Sequence, residues 1–145
     1  MTIRRAGLED LDKLVPLFDG YRVFYKAESN PDGARLFLSA RLERGESIVF
    51  VAEEGDRFLG FTQLYPYFSS VRMKRAWVLN DLFTATDARQ RGVATALMNA
   101  ARDFARETEA AWMLLQTAED NVTAQRLYEA FGWKRESDYF YTLTI

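Results

Sequence analysis

The most informative stretch of the sequence reads Arg89-Gln90-Arg91-Gly92-Val93-Ala94-Thr95 and falls between a predicted strand and a predicted helix. Backbone N–H groups in the first turn of a helix have no partner within the helix, and the helix dipole favours an anion beside them. Gly92 and the small side chains after it let a ligand approach the main chain closely. The stretch therefore predicts a phosphate cradle, although a glycine at a helix start between solvated arginines would have the same pattern. It has neither the Lys-Ser/Thr pair of a P-loop nor the three glycines of a dinucleotide-binding turn.

A second segment further along the chain makes the interpretation more specific. It contains, in order, Asn121, Ala124, Leu127-Tyr128 and Gly132-Trp133. Together the two segments resemble the GNAT superfamily of acyl-CoA-dependent N-acetyltransferases. The cofactor loop of that family has the form Gln/Arg-x-x-Gly-x-Gly/Ala, which is met here by Arg89, Gly92 and Ala94. Its second run contains Asn, Ala, Leu-Tyr and Gly-Phe, and Trp133 replaces the Phe.

Hydrophobic periodicity predicts the element order β, α, α, β, β, β, α, β, α, β, β, which indicates a mixed α/β sheet. The predicted strands cover residues 2–5, 47–53, 57–67, 76–84 and 112–117, with two more near Trp133 and over residues 139–145. The predicted helices cover residues 10–25, 33–44 and 121–131, and another begins at Gly92. In the strand over residues 76–84, alternation places Asn80 and Asp81 on opposite faces.

Composition excludes several kinds of chemistry. The chain has 145 residues, a formal net charge of −2 and 48% hydrophobic residues, which predicts one globular domain over residues 1–145. It contains no Cys and no His, so thiolate nucleophiles, Ser-His-Asp hydrolysis and His- or Cys-ligated metal sites are excluded, and no metal is expected. A pI near 5.3 argues against nucleic-acid binding. With no long apolar run and no signal stretch, we expect a cytoplasmic protein that does not bind membranes.

The resemblance implies an α/β fold with a mixed, mostly antiparallel twisted sheet, splayed between its fourth and fifth strands and flanked by about four helices. Acetyl-CoA would lie in the gap as co-substrate, and its pantetheine amides would pair with the exposed edge Leu82-Phe83-Thr84. By the same resemblance, the pyrophosphate would be held beside Arg89 by the backbone of Gln90, Arg91, Gly92, Val93, Ala94 and Thr95. Asn121 would hydrogen-bond the cofactor arm, unless it only caps the following helix.

Acyl transfer to an amine needs a base for the ammonium proton and an acid for the departing thiolate. Asp81 is the candidate base, and a water relay or a purely structural role for Asp81 are the alternatives. The resemblance makes Tyr128 the general acid, although an aromatic residue there could also pack against the last strands. Polyamine and histone acetyltransferases of this superfamily carry Glu-Asp where this chain has Asn80-Asp81. Asn80 cannot take a proton, but it could position a water or bind the substrate amine.

The acceptor is predicted to be a primary amine, such as a polyamine, a lysine side chain or another small amine. Tyr25 and Glu28 are candidate substrate residues, because an aromatic wall with a carboxylate suits a cation. Core packing is the alternative explanation for the aromatic residues of the first helix.

Two further functions fit the same sequence, and each departs from N-acetylation in one respect. One is transfer of another acyl group or transfer to another acceptor. The other is a catalytically silent acyl-CoA sensor or interaction module, which the missing Glu at position 80 makes conceivable. The β-rich run Tyr139–Leu143 predicts a homodimer, because resembling proteins often pair or exchange their last strands.

Overall fold

The computed structural model describes all residues from Met1 to Ile145. They form two compact units, Met1–Leu115 and Gln116–Ile145. The first unit contains the sheet and three helices, and the second contains one helix and the C-terminal segment. No helix in either unit combines the length and the apolar character needed to cross a bilayer. A single domain over residues 1–145 stays a prediction.

The first unit is built on a five-stranded sheet in the order β1-β2-β3-β4-β5. Its strands are β1 (Thr2–Arg5), β2 (Ile48–Glu54), β3 (Arg57–Ser69), β4 (Lys74–Thr84) and β5 (Met113–Leu114). All neighbouring pairs are antiparallel except β4 and β5, which are parallel. Parallel neighbours need a crossover connection, and here helix α3 (Val93–Glu107) supplies it. The mixed, mostly antiparallel sheet of the predicted fold class is confirmed.

Helices α1 (Leu11–Phe24) and α2 (Pro31–Glu43) lie between β1 and β2 in the chain. The second helix begins at Pro31, earlier than the predicted start at Gly33. Pro31 suits the first turn because its missing N–H would have had no partner there. The side-chain oxygen of Asn30 accepts a hydrogen bond from the Gly33 N–H at 3.0 Å and so caps the helix.

The sheet separates two apolar layers. The layer under α1 and α2 contains, among others, Leu14, Phe18, Leu38, Val51 and Phe61, with Phe83 packed against it. The layer under α3 contains Leu59, Val93 and Leu97, with Leu82 packed against it. The adjacent residues Leu82 and Phe83 therefore face opposite layers, as strand alternation requires.

Strand β4 contains a bulge that the alternation pattern does not predict. Gln63 pairs with Asp81 and Leu64 pairs with Leu79, so Asn80 is an extra residue without an opposite partner. An extra residue in one strand shifts the alternation by one position for everything beyond it.

The bulge brings Asn80 and Asp81 to the same face of the sheet. Before the bulge, Trp77 packs on Phe104 of α3, whereas beyond it Phe83 packs on Tyr21 of α1. Asn80 Nδ2 donates to Asp81 Oδ1 at 2.9 Å, and both residues line one cleft. The prediction that these two side chains lie on opposite faces is therefore wrong.

The second unit is organised by helix α4 (Val122–Phe131). At its start, the Asn121 side chain accepts a hydrogen bond from the Ala124 N–H at 3.3 Å. At its end, Gly132 has a φ of 115°, and the Trp133 N–H donates to the Tyr128 carbonyl at 3.0 Å. This left-handed closure explains why glycine stands at position 132.

Residues 133–145 form no strand, so the strands predicted near Trp133 and over residues 139–145 are wrong. Aromatic and β-branched residues fit a pleated surface, but a strand also needs a neighbouring main chain to share its hydrogen bonds. The segment has the composition of a strand, but no neighbouring strand pairs with it. Its large side chains are 70–109% exposed, namely Tyr139, Phe140, Tyr141, Leu143 and Ile145.

Candidate active site

One edge of β4 is free over the half of the strand that leads to the Arg89–Thr95 loop. The short strand β5 pairs only with Trp77 and Val78, so Leu79–Thr84 has no strand beside it on that edge. The sheet is therefore split between its fourth and fifth strands, as the family resemblance implies. The N–H and C=O groups of an unpaired edge can bond an extended ligand that carries amides.

The loop beyond β4 has a conformation that leaves main-chain N–H groups without side-chain caps. It follows a short 3₁₀ turn at Thr86–Ala88 and contains two residues with positive φ, Gln90 at 61° and Gly92 at 77°. Gly92 precedes the first turn of α3, where no side chain caps the free N–H groups. A Cβ atom added at Gly92 would meet nothing within 4 Å, so there is open space beside these donors. The geometry fits an anion at the start of α3.

The two arginines of the loop have different partners. Arg91 Nη2 lies 2.7 Å from Glu54 Oε1, and this ion pair lowers the pKa of Glu54. The Arg89 guanidinium instead lies over the rings of Phe24 and Phe83, at 5.4 and 6.0 Å from their centroids. Arg89 therefore has no carboxylate partner and is the arginine available to a bound anion.

Asp81 is the buried acid of the first unit's cleft, with 2% of its surface exposed. Gln63 Nε2 donates to its Oδ2 at 2.5 Å, and Asn80 Nδ2 donates to its Oδ1. Burial raises the pKa of Asp81, and the hydrogen bonds from Gln63, Asn80 and Tyr21 offset only part of that rise. A carboxyl with a raised pKa takes a proton more readily than an ordinary aspartate does, which suits a general base.

Two phenols share this environment. Burial raises the pKa of Tyr21 and of Tyr65, and the neighbouring Asp81 carboxylate raises both further. The Tyr21 hydroxyl donates to the Asn80 carbonyl at 3.4 Å. Both phenols therefore stay neutral at physiological pH and act as polar, uncharged walls.

A cleft of about 430 Å³ opens above Asp81 between α1, α2, β3 and β4. Its walls are formed by Phe18, Tyr21, Arg22, Asn30, Gly33, Ala34, Phe37, Tyr65, Asn80 and Asp81. Tyr25 and Glu28 lie outside this lining and are exposed. Tyr25 packs its ring against Tyr21 and Phe24 instead, and their roles in substrate binding stay predictions.

The sequence did not identify two residues at this site: Arg22, which lines the cleft, and Gln63, which donates a hydrogen bond to Asp81. Arg22 stands in a helix with many other charged residues, so nothing marks it. Gln63 did carry a signal, because it and Thr62 are polar residues between the apolar Phe61 and Leu64, and Gln63 is fully buried. A buried polar side chain is more informative than an exposed one, since it must find partners.

The predicted residues of the second unit lie on α4. Asn121 is its N-cap, which confirms the capping geometry but does not test a contact with a cofactor. The Tyr128 ring lies 6.5 Å from the Trp133 ring, in an edge-to-face arrangement. The structure contains no group of three or more acidic side chains placed to hold a metal ion.

Comparisons with known proteins agree on one family. The model of the Acetyltransferase (GNAT) family matches residues 14–133, which include both the Arg89–Thr95 loop and the Asn121–Trp133 run. The uncharacterized N-acetyltransferase YhfO of Bacillus subtilis (strain 168) is 46% identical over 139 residues, which are 96% of this chain and 93% of the relative.

Solved structures give the same picture. The crystal structure of a probable acetyltransferase superposes with a TM-score of 0.95 at 47% identity, covering 100% of this chain and 98% of that chain. A protein described as a predicted acetyltransferase with acetyl-CoA, from Clostridium acetobutylicum, has a TM-score of 0.81 at 15% identity, over 98% of this chain and 95% of that chain. The second likeness is one of fold alone.

Proposed function

The chain belongs to the GNAT family of acetyltransferases, and we propose that it transfers an acetyl group from acetyl-CoA to a primary amine by direct attack. The observation that carries the proposal is the continuity of β4. The buried Asp81 is followed at once by Leu82–Thr84, on the part of the strand that β5 leaves unpaired. A thioester held along this edge would lie beside the carboxylate.

The main chain of the first unit fits the donor. Acetyl-CoA supplies the thioester whose C–S bond breaks as the amide C–N bond forms. The free N–H groups at the start of α3 would hold its pyrophosphate, with Arg89 as the nearby cation. The amides of its pantetheine arm would hydrogen-bond the unpaired β4 edge, as a neighbouring strand does. A structural neighbour with acetyl-CoA supports this choice of donor.

Asp81 would act on the acceptor. A primary ammonium group has a pKa of about 10.4, so it must lose a proton before its lone pair can attack. The Asp81 carboxylate would accept that proton, and its raised pKa makes the transfer easier. Asn80 lines the same cleft, and its side-chain oxygen Oδ1 could accept a hydrogen bond from the amine and hold it in place.

Tyr128 would complete the reaction. As nitrogen joins the acetyl carbon, the thiolate leaves and needs a proton, which the neutral phenol of Tyr128 would donate. The second nitrogen proton would replace it through water, so the products are an amide and a free thiol, with one proton released to solvent. The support for this role is the Leu127-Tyr128 match to the family pattern, and Asn121 is proposed on the same ground to bond the cofactor arm.

The test is acetyl-CoA-dependent thiol release measured with a panel of amines, together with calorimetry of acetyl-CoA binding. We expect amine-dependent release that falls by about 10²–10⁴-fold in Tyr128→Phe, while acetyl-CoA still binds. Tyr67→Phe is the matched control, since Tyr67 packs on Trp112 outside the cleft and should keep full activity.

Two outcomes would overturn the proposal. Binding of acetyl-CoA without release for any amine would identify a sensor. Absence of binding would show that the Arg89–Thr95 loop does not hold this donor.

A further inference from the structure

We infer that the acceptor is a compact amine with a single positive charge, an apolar body and an oxygen-bearing far end, and that polyamines are poor substrates. This inference rests on the proposed function and names the class of amine that the cleft between α1, α2, β3 and β4 accepts. It departs from the polyamine resemblance of the Asn80-Asp81 motif, because the charges lining the cleft do not suit several cations.

The cleft contains one carboxylate. Asp81 is the acidic residue in its lining, and its two oxygens already accept hydrogen bonds from Gln63 and Asn80. One ammonium group can therefore be neutralised here. A second ammonium on the same molecule would be taken out of water without a carboxylate to pair with, which is costly.

The other buried acid of this region is already committed. Asp19 accepts hydrogen bonds from the Ser29 hydroxyl at 2.6 Å and from the Asn30 N–H at 2.7 Å. Its Oδ1 also lies 3.6 Å from Arg22 Nη1, and Asp19 is not part of the cleft lining. These contacts fix the connection between α1 and α2 and leave Asp19 unavailable to a substrate cation.

Arg22 favours an oxygen-bearing group over a second ammonium at the end of the acceptor away from the reacting amine. Its guanidinium is the cation in the cleft lining, and it is held by the Glu28 carbonyl at 3.0 Å and by Asp19. A second ammonium would meet a guanidinium here and no free carboxylate, because Asp19 is already paired with Arg22. A carboxylate or another oxygen acceptor would instead receive hydrogen bonds from the remaining guanidinium N–H groups.

Aromatic rings form much of the remaining wall of the cleft. Phe18, Tyr21, Phe37 and Tyr65 line the cleft, and both phenols are neutral. The volume of about 430 Å³ is near the lower end of the range for small-molecule pockets. An apolar or aromatic body of modest size fits these walls, and a long flexible polycation does not.

Three amines of the same skeleton test the inference: 4-(aminomethyl)benzoate, benzylamine and 1,4-bis(aminomethyl)benzene. They differ only in whether the far end carries a carboxylate, a hydrogen atom or a second ammonium. We expect kcat/KM to be highest for the benzoate and at least about tenfold lower for the diamine. Spermidine should behave like the diamine. Calorimetry of the same amines with the CoA-bound protein should give the same order of affinity.

Arg22→Gln is the informative variant, because it removes the cation and keeps an uncharged polar side chain at this position. It should abolish the advantage of the benzoate and narrow the penalty of the diamine. Arg44→Gln, an exposed arginine beyond the end of α2, is the matched control and should leave the order unchanged.

The class of acceptor and the acetylation of amines are distinguished by different outcomes. Turnover with the diamine or spermidine equal to or better than the benzoate would overturn the inference and leave amine acetylation standing. The expected order of binding without any turnover would overturn the proposed function and leave the inference standing.

Discussion

The Asp81 carboxylate sits among groups that act on its proton in opposite directions. Burial disfavours its charge, while the N–H groups of Gln63 and Asn80 favour it, and the result is a raised pKa. Gln63 Oε1 is buried and has no partner while Nε2 faces Asp81. Rotating this amide would present Oε1 to a protonated Asp81, so the pair can satisfy either protonation state of the carboxyl.

Asp81→Asn tests whether this carboxylate is the base. Asparagine can accept from Asn80 through its oxygen and donate to Oε1 of a rotated Gln63 amide. The rotation leaves Gln63 Nε2 without a partner in place of Oε1, so the number of unpaired buried polar atoms does not change. We expect kcat to fall by about 10²–10⁴-fold, while the free energy of unfolding stays unchanged or rises by about 1 kcal/mol. Steady-state kinetics and urea denaturation measure the two effects.

The control for this change is Asp103→Asn, which neutralises an exposed acid on α3 and should leave kcat unaltered. If Asp81→Asn kept full activity with a normal pH profile, the proton would have to pass to water instead.

Gln63→Met tests the pKa of Asp81 directly. The Gln63 hydrogen bond lowers that pKa, so its loss should raise it further above the ordinary value for aspartate. The proposed base works in its ionised form, so kcat/KM is expected to rise as pH increases through the Asp81 pKa. We therefore expect the acidic limb of the pH profile to move to higher pH, with less activity at low pH and little change above the limb.

Thr62→Val is the companion variant in the same strand. The Thr62 hydroxyl donates to the Asp81 carbonyl at 2.8 Å and does not touch the carboxylate. Its loss should reduce stability by about 1 kcal/mol without moving the limb. An acidic limb that stays in place in Gln63→Met would mean that another group titrates there.

At the scale of elements, Gly60 of β3 lies close to both β4 and α3. A Cβ atom added there would lie 2.6 Å from the Phe83 carbonyl oxygen and 2.9 Å from Val93 Cγ1. Gly60→Ala should therefore push Phe83 and the start of α3 away, lowering the free energy of unfolding by about 1–3 kcal/mol and weakening acetyl-CoA binding. Urea denaturation and calorimetry give the two quantities.

Gly20→Ala separates this clash from the general effect of replacing a glycine. Its new methyl group would meet the Phe83 ring at 3.7 Å, an ordinary contact, within the helix α1. Alanine is favoured over glycine inside a helix by roughly 1 kcal/mol, so stability should hold or rise. Equal losses in both variants would contradict a specific role for Gly60.

The elements themselves were largely predictable from periodicity, and the exceptions have physical causes. The alternation along β4 correctly indicates a strand, but it cannot reveal the bulge at Asn80, because a bulge depends on pairing with β3. The start of α2 was misplaced because Pro31 reads as a helix breaker, whereas Asn30 and Pro31 together form a helix start.

At the scale of the molecule, the family and the fold followed from two short motifs, while the cleft between α1, α2, β3 and β4 did not. Gly92 and the Leu127-Tyr128 pair are local patterns that a sequence displays directly. The cleft joins Arg22 of α1 and Asp81 of β4, and Gln63 of β3 donates a hydrogen bond to Asp81. These residues are far apart in the sequence, and only the folded sheet brings them together. Tyr25 and Glu28 have suitable chemistry for a cation but lie outside the lining of this cleft, and their roles in substrate binding stay predictions.

The C-terminal segment Tyr139–Ile145 argues for self-association. Tyr141 and Leu143 are 92% and 84% exposed, and the main chain around them has no strand partner. Exposed apolar residues on an unpaired, strand-like segment are a template for pairing, and a second copy offers the same segment about a two-fold axis. We therefore expect a homodimer at micromolar concentration, measured by light scattering as twice the chain mass of 16.8 kDa.

A double variant of this segment tests whether it forms the dimer interface, in comparison with the same added charge elsewhere on the surface. Tyr141→Asp with Leu143→Asp places charges in the proposed contact and should give monomers, because burying them would cost more than the contact contributes. Val71→Asp with Met73→Asp adds the same charge at the β3–β4 turn, where both residues are equally exposed, and should leave the dimer intact. A monomeric wild type would contradict the dimer. Dissociation by both double variants would instead show that net charge, rather than the C-terminal segment, controls association.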